Sequence, residues 1–552
     1  MLPLNLVSLV GIFGLCAIAW LFSENRSPKY FPWRVVIMGI GLQLVLGALV
    51  FAAPVTRDVL QVFSNLLNVV FDAADAGARF VFGANLVPLP GQEPFILSPL
   101  AAGGSCAPNT AGQVIPGFCG IRLGYVFAFR ALPAVIFFSG LMALLYNLGV
   151  IQVITNLFAR IFYRTMRLSG AESLSGAANI FVGIEAAIVV RPFLAKMTRS
   201  ELCAILSCCF GTAASSTLAI YVNFLRPVFP NILGHLVSAS IMAIPACFVL
   251  SKILVPETGI PLTAEGIPDE QAAQAFAKDT ESSSNAPQET VAGEPIERVS
   301  PMDAAIVGAL DGVKMAVAIA AVLILILGMV YLVNQIFGGL ATLPSPIGDI
   351  FKAITLQNIL GALFLPLTAL TGISWEWNEI WQSSVIIGRR LFETAIPPYQ
   401  ALAAAAALPE PERVIGDRAV LIISYALSGF AHLASVGIFV GGTTALAPSR
   451  RKDITDLGWK ALFVGTLATY MIACVAGVFD TGNASILGTP AAPAPVVSPS
   501  VNPSVNPNVN TNVNPSVSPS PAIAPTPILS PSPILSPVPA SPMSSPVVSP
   551  SP

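Results

Sequence analysis

The sequence predicts an all-α polytopic membrane protein, and three observations predict it. Only 10% of the 552 residues are charged, against 54% hydrophobic, where a soluble domain carries about 25% charged residues. Mean hydropathy is +0.76. Several apolar stretches approach the ~20 residues that a helix needs to cross hydrocarbon, and the alternating ten-residue segments of an outer-membrane barrel are absent from the sequence. A net charge of −2 gives no reason to invoke a nucleic-acid partner.

The first apolar stretch, Leu6–Phe22, has no positive charge before it and no small-x-small site closing it, so it reads as a retained span rather than a signal peptide. Arg26, Lys29 and Arg34 follow it. Positive loops stay inside, which places the N-terminus outside. Span two covers Val35–Ala53. Residues 55–86 mix Arg57, Asp58, Asp72, Asp75 and Arg79 with apolar residues, a pattern that suits a helix lying in the membrane interface. Residues 87–131 form a polar outer loop in which Cys106 and Cys119 are expected to pair, because disulfides persist on that side. The other six cysteines lie in apolar helices and serve packing. Span three, Leu132–Phe158, is closed by Arg160, Arg164 and Arg167.

Ser175–Val190 is too interrupted by Gly176, Gly183 and Glu185 to be one span. It reads as a re-entrant hairpin, since irregular backbone at membrane depth is tolerated where protein covers it. Span four, Leu202–Val222, carries GTAASS within it, and span five is Leu236–Leu254. A polar, acidic linker runs from Pro256 to Pro301, then span six, Met315–Val333. The second half repeats this plan. Trp381–Phe392 breaks at Glu393–Pro398, resumes at Ala401–Leu408, and is followed by a charged loop, span seven with a small, polar middle at Leu421–Gly442, and span eight at Ala461–Phe479. Two interrupted segments at matching places in two halves point to a transporter's midplane site. From residue 481 to 552 Asn, Pro, Ser and Val dominate, and nothing can build a core, so this is a disordered tail lying outside. The divisions expected are therefore 1–54, 55–86, 87–131, 132–255, 256–301, 302–480 and 481–552.

Three passages carry a resemblance. NIFVGIEAAIVVRPFLAKMTRSELCAILSCCFGTAASSTLAIYV spans Asn179–Val222, SASIMAIPACFVLSKILVPE spans Ser238–Glu257, and SYALSGFAHLASVGIFVGGTTALAPSRRKDI spans Ser424–Ile454. They resemble the concentrative nucleoside transporters, and the likeness runs from about Ser23 to Asp480. The resemblance implies a homotrimer of eight-span protomers, with two opposed re-entrant hairpins in an inverted repeat, embedded in the bacterial inner membrane with both termini periplasmic. It implies uptake of a nucleoside or related solute driven by Na+ or H+, with the substrate-carrying block sliding between rigid helices, and no cofactor beyond the coupling ion.

The same resemblance carries residue roles. Asn179 and Thr212, with backbone carbonyls near Val182 and Ala213, match sodium ligands. Gly183, Ile184, Glu185, Glu393, Thr394, Phe430, His432 and Ser435 fall at the substrate site. A carboxylate such as Glu185 at membrane depth costs about 2.5–3.5 kcal/mol on insertion scales, which favours a functional role over a helix cap. Four positions depart from the family. Its Gly-Gln-Thr-Glu tip is Gly183-Ile184-Glu185 here, one residue shorter; its Asn-Glu pair in hairpin two is Thr394-Ala395; its GFAN asparagine is His432. Glu393 stands near the missing glutamate but faces elsewhere on a helix. His432 reads either as a buried structural histidine or as a site group able to carry a proton. Arg389 and Arg390 read as helix-end partners of Glu393 or as contacts to an anionic substrate. Two further readings fit: a same-fold paralogue for another solute, and a non-transporting receptor or assembly protein. An enzyme does not fit, because Gly-x-Ser-x-Gly, His-Glu-x-x-His and paired intramembrane aspartates are missing.

Overall fold

The computed structural model describes residues 3–51, 69–70, 72–82, 86–87, 96–97, 121–122, 126–181, 183–264, 266, 300–345, 348, 351, 354–409, 411–483 and 486–488. Cys106, Cys119, most of the 256–301 linker and the tail beyond 488 lie outside the described residues, as does most of the 55–86 segment, whose residues 72–82 are helical. Apart from a two-residue antiparallel pair, Ile96–Leu97 against Ile121–Arg122, the regular elements described are helical.

The helices are α1 (Leu4–Leu21), α2 (Trp33–Phe51), α3 (Phe127–Asn147), α4 (Val150–Met166), α5 (Gly170–Ala178), α6 (Arg199–Gly211), α7 (Ser215–Leu225), α8 (Ile232–Leu254), α9 (Pro301–Leu340), α10 (Leu356–Leu370), α11 (Trp377–Glu393), α12 (Ile396–Ala406), α13 (Asp417–Ala426), α14 (Leu433–Leu446) and α15 (Arg451–Phe479). Among the described residues six stretches are long and apolar enough to cross a membrane: α1, α2, α3, α8, α9 and 448–479. The expected spans four and seven are each two shorter helices, α6/α7 and α13/α14, separated by an extended break.

Three expectations are corrected. Helix α3 starts at Phe127, inside the expected outer loop, and the single span Leu132–Phe158 is two helices. Gly149, at φ 78°, supplies the left-handed turn that ends one and starts the other. Span six is a 40-residue helix, Pro301–Leu340, started by Ser300, whose hydroxyl accepts from Asp303 N, and by proline in the first turn. Helix α10 was not expected at all; its apolar run is short and carries Pro366. With it, the order in each half is the same: a helix (α4 or α10), a hairpin, a broken helix, a long buried helix (α8 or α15).

Burial divides the molecule into a core and a periphery. Helices α8 and α15 are buried along most of their length, 89% and 83% of their apolar windows, whereas α9 is buried over only 17%. Small residues at 465, 468, 473, 476 and 477 of α15 let neighbouring helices approach closely. The exposed periphery is lipid-compatible, as with Ile324 and Leu325 on α9. Helices α3 and α9 pack tightly on each other: a Cβ at Gly308 would meet Ser139 O at 2.8 Å. Two polar clasps hold opposite ends of α1. At one, Glu24 pairs with Arg199 (2.9 Å) and Lys460, and Arg199 also meets Asp456. At the other, Arg418 pairs with Asp480 at 2.9 Å and donates to Ser8 Oγ, Gly372 O and Gly477 O.

Candidate solute and cation site

Hairpin one begins with a capping box. Ser169 Oγ accepts from Glu172 N, and Glu172 returns a carboxylate oxygen to Ser169 N. The helix ends at Ala178, and Asn179 closes it: its backbone N and its Nδ2 both donate to Ser175 O, at 3.0 and 3.2 Å. Asn179 Oδ1 is thereby left fully buried with no hydrogen-bond partner among the described residues. The returning arm, a 3₁₀ segment at Ile184–Val190, is tied back by Ser175 Oγ donating to Ala186 O (3.2 Å) and Ala186 N donating to Gly183 O (3.1 Å). Val182 lies outside the described residues, and so do the side chains of Ile184 and Glu185, whose backbone belongs to this arm.

The broken helix next to it turns at Thr212. Its hydroxyl donates to Cys208 O at 2.8 Å, the back-bond expected of a threonine at a helix end, and the oxygen keeps lone pairs free to accept. Ala213 is fully buried in the break. The Thr212 carbonyl accepts from Phe430 N at 3.1 Å, so the two breaks of the two halves are bonded to each other. Gly429 makes that crossing possible. A Cβ there would stand 2.7 Å from Gly211 O and 2.8 Å from Phe210 O, closer than real side chains come.

Hairpin two is built differently. Helix α11 ends at Glu393, and Thr394 takes φ 67°, ψ −177°, a backbone region that only glycine enters freely. Its Oγ1 accepts from Ile396 N at 3.4 Å. Ala395, where the family carries a carboxylate, is buried. Glu393 is 1% exposed and fully engaged: Oε1 accepts from Gln357 Nε2 of α10 (2.9 Å), and Oε2 pairs with Arg389 at 2.8 Å. Arg390 does not join that pair. It turns inward, fully buried, and donates to Ala426 O, the carbonyl at the C-terminus of α13, where a cation suits the helix dipole. On the second arm Tyr399 donates to Ser424 O at 2.7 Å and stacks on Tyr221 of α7 at 4.4 Å.

At the second break His432 caps α14. Its Nδ1 accepts from Ser435 N at 3.3 Å, and Ser435 Oγ lies 3.1 Å from the ring. An imidazole that accepts at Nδ1 is neutral and carries its proton on Nε2. Phe430 meets His432 edge to face at 6.0 Å and Phe439 at 6.3 Å. The structure thus gathers Phe430, His432 and Ser435 into one cluster, joins it through Phe430 to Thr212, and sends Glu393 away to α10. Residues the sequence did not single out are Gly429, Tyr399, Tyr221 and Gln357; the first two flank recognisable breaks, but Gln357 lay on an unrecognised helix.

A sodium ion asks for neutral oxygens at a helix break. Asn179 Oδ1 is a buried acceptor without a partner among the described residues, and the Thr212 hydroxyl oxygen retains accepting capacity, so the residues present fit that ion. Among the described residues no group of three His, Cys, Asp or Glu side chains gathers as a transition-metal site would.

Comparison with known proteins bears on most of the chain. A family model described as Na+ dependent nucleoside transporter C-terminus matches residues 235–477, its N-terminal counterpart matches 10–85, and one described as nucleoside recognition matches 128–228. An uncharacterized transporter of Haemophilus influenzae is 33% identical over 475 residues, 86% of this chain and 97% of that protein. The nucleoside permease NupC of Helicobacter pylori is 30% identical, over 87% and 99%. The solved structure of CNTnw in an inward-facing substrate-bound state is similar with TM-score 0.69 and 35% identity, over 88% and 99%. A variant of that protein in an outward-facing state is similar at TM-score 0.69 and 34% identity, over 86% and 98%.

Proposed function

Because the chain belongs to the Na+-dependent, concentrative nucleoside transporter family, whose members are transporters and not enzymes, we propose that it imports a nucleoside or a closely related solute by coupling to sodium. The observation that carries this reading is the buried, partnerless Asn179 Oδ1 beside a helix break. A buried acceptor without a partner costs about 1–3 kcal/mol, a cost that a bound cation removes. Asn179, Thr212 and the carbonyls of Val182 and Ala213 are the proposed ligands. Held by these groups, a sodium ion would supply positive charge next to the tip of the first hairpin.

The solute site is proposed at Gly183, Ile184, Glu185, Thr394, Phe430, His432 and Ser435. Phe430 offers a stacking face, Ser435 a hydroxyl and His432 a ring N–H. Glu393 is left out, because Arg389 and Gln357 already occupy both its oxygens. Nothing at Ala395 accepts a sugar hydroxyl. Ribose recognition is therefore weaker than a carboxylate would make it, and a modified nucleoside or another solute on the same fold is the second reading that this observation favours.

The transport cycle proposed is of the elevator type. The repeated element order supports two inverted halves and eight spans, two of them broken. The tight α3–α9 pair, set apart from the buried core, suits a static scaffold, and trimer assembly goes with it. The positive loop Arg26–Arg34 supports an inner-membrane topology with both termini outside. The test is radiolabelled uptake into proteoliposomes with and without a sodium gradient, over uridine, adenosine and their deoxy forms. Sodium-stimulated uptake of at least one is expected. Gradient-independent or absent uptake of all of them rejects the reading, and a tight, ribose-dependent uridine site rejects its second part.

A further inference from the structure

A cleft of about 650 Å³ opens between α1 and α2. Helices α1 and α2 lean on α8 and α15 rather than on each other, so the space between them stays open to the outside. Its walls are apolar and aromatic: Phe13, Trp20, Phe31, Trp33, Ile37 and Leu44. Phe13 is 56% exposed and Trp33 and Ile37 are 63% exposed, so no described part of the chain covers the cleft. Wall residues run from Trp33 to Leu44, a helical rise of about 16 Å. That matches one leaflet of a hydrocarbon core about 30 Å thick.

Charge marks one end of the cleft. The connection between the two helices and the first turn of α2 carry Arg26, Lys29 and Arg34, all exposed and none in an ion pair among the described residues. Lys29 stands 5.8 Å from the Tyr30 ring. The acid of this loop, Glu24, is held by Arg199 and Lys460 and does not neutralise them. Trp20 near the end of α1, and Tyr30 and Trp33 before and at the start of α2, flank this connection, as aromatic rings do at the headgroup level.

We propose that this cleft binds one anionic phospholipid per chain, with an acyl chain between α1 and α2 and the phosphate on Arg26, Lys29 and Arg34. Three cations over an apolar slot one leaflet long complement such a lipid in both charge and length. A zwitterionic lipid matches the length alone.

The test uses the purified full chain, stripped of lipid and offered equal phosphatidylglycerol and phosphatidylcholine, with bound lipids counted by native mass spectrometry. One tightly held phosphatidylglycerol per chain, preferred about tenfold or more, is expected. Arg26→Gln, Lys29→Gln and Arg34→Gln together, all exposed and so harmless to folding, should bring the preference near unity. Gly41→Phe should remove the lipid, because a Cβ at Gly41 meets nothing within 4 Å and its ring would fill the cleft. Equal retention of the two lipids by the unaltered chain overturns the proposal. So does a preference that survives the triple substitution, or a cleft covered by a second copy of the chain and closed to both lipids.

Discussion

The two hairpins occupy the same place in their halves and are built on opposite principles. Hairpin one satisfies its own backbone and leaves a side-chain oxygen, Asn179 Oδ1, buried and open. Hairpin two satisfies its charges and stores the cost in its backbone, at Thr394. Each also leans on the other half: the 3₁₀ arm of the first packs on α14, and α12 of the second packs on α7. A site that needs a small cation benefits from a rigid tip with one acceptor unfilled. A site that must open and close around a solute benefits from a tip whose folded form is not relaxed. On the proposed reading, sodium chemistry belongs to the first hairpin, while two of the four altered solute positions, Thr394 and Ala395, lie in the second.

The largest change should come from Arg390→Met. It leaves Ala426 O unpaired in the core between hairpin two and α13, at about 1–3 kcal/mol for the carbonyl. Thermal unfolding in detergent should show a fall of several degrees, and uptake should vanish with it. An unchanged melting temperature would mean that hairpin two is not held by its charges.

Next is Asn179→Ala. The hydrogen bond lost to Ser175 O is minor and the unpartnered Oδ1 goes with it, so stability without sodium should hold or rise slightly. The sodium concentration for half-maximal uptake should rise about tenfold or more, roughly 1.4 kcal/mol. If Asn179→Ala and Thr212→Ala both leave sodium activation as it was, the contrast between the hairpins collapses.

Thr394→Gly should stabilise the chain by about 1 kcal/mol, because φ 67°, ψ −177° is a backbone region that glycine alone enters freely. A slower uptake at higher melting temperature would tie the strain to opening; a loss of stability would show that Thr394 is not strained.

The smallest effect concerns the clasp at Glu24, far from both tips. Burial alone would raise its carboxyl, but the bonds from Arg199 and Lys460 outweigh it and hold it below its ordinary value of 4.5. A depressed carboxyl contributes stability that is present above the ordinary value and lost as pH falls through the lowered one. Melting temperature should therefore drop between pH 5 and 3 in the unaltered chain, and slightly less steeply in Glu24→Gln. Identical acid limbs would remove Glu24 from the account.

Much of this was legible in the residues. Low charge and apolar length placed α1, α2 and α8 within about four residues, because a span must be apolar wherever it goes, but α9 and α15 each begin ten or more residues before their expected spans. Glycine and polar residues inside apolar runs marked both hairpins and both breaks. Helix α10 and the division at Gly149 were not legible, since short or continuous apolar runs carry no boundary of their own.

Sequence by itself therefore determined the membrane class, the paired halves, and the candidates Asn179, Thr212, Phe430, His432 and Ser435. Only the tertiary structure decided what each is free to do. It bonded Phe430 to Thr212 across the halves, spent Glu393 on Arg389 and Gln357, sent Arg390 to Ala426, and made His432 a helix cap. The reason is physical: residue type sets how many hydrogen bonds a group can make, but which of them remain for a ligand depends on which neighbours, near or far along the chain, the fold brings within hydrogen-bond reach in a core without water.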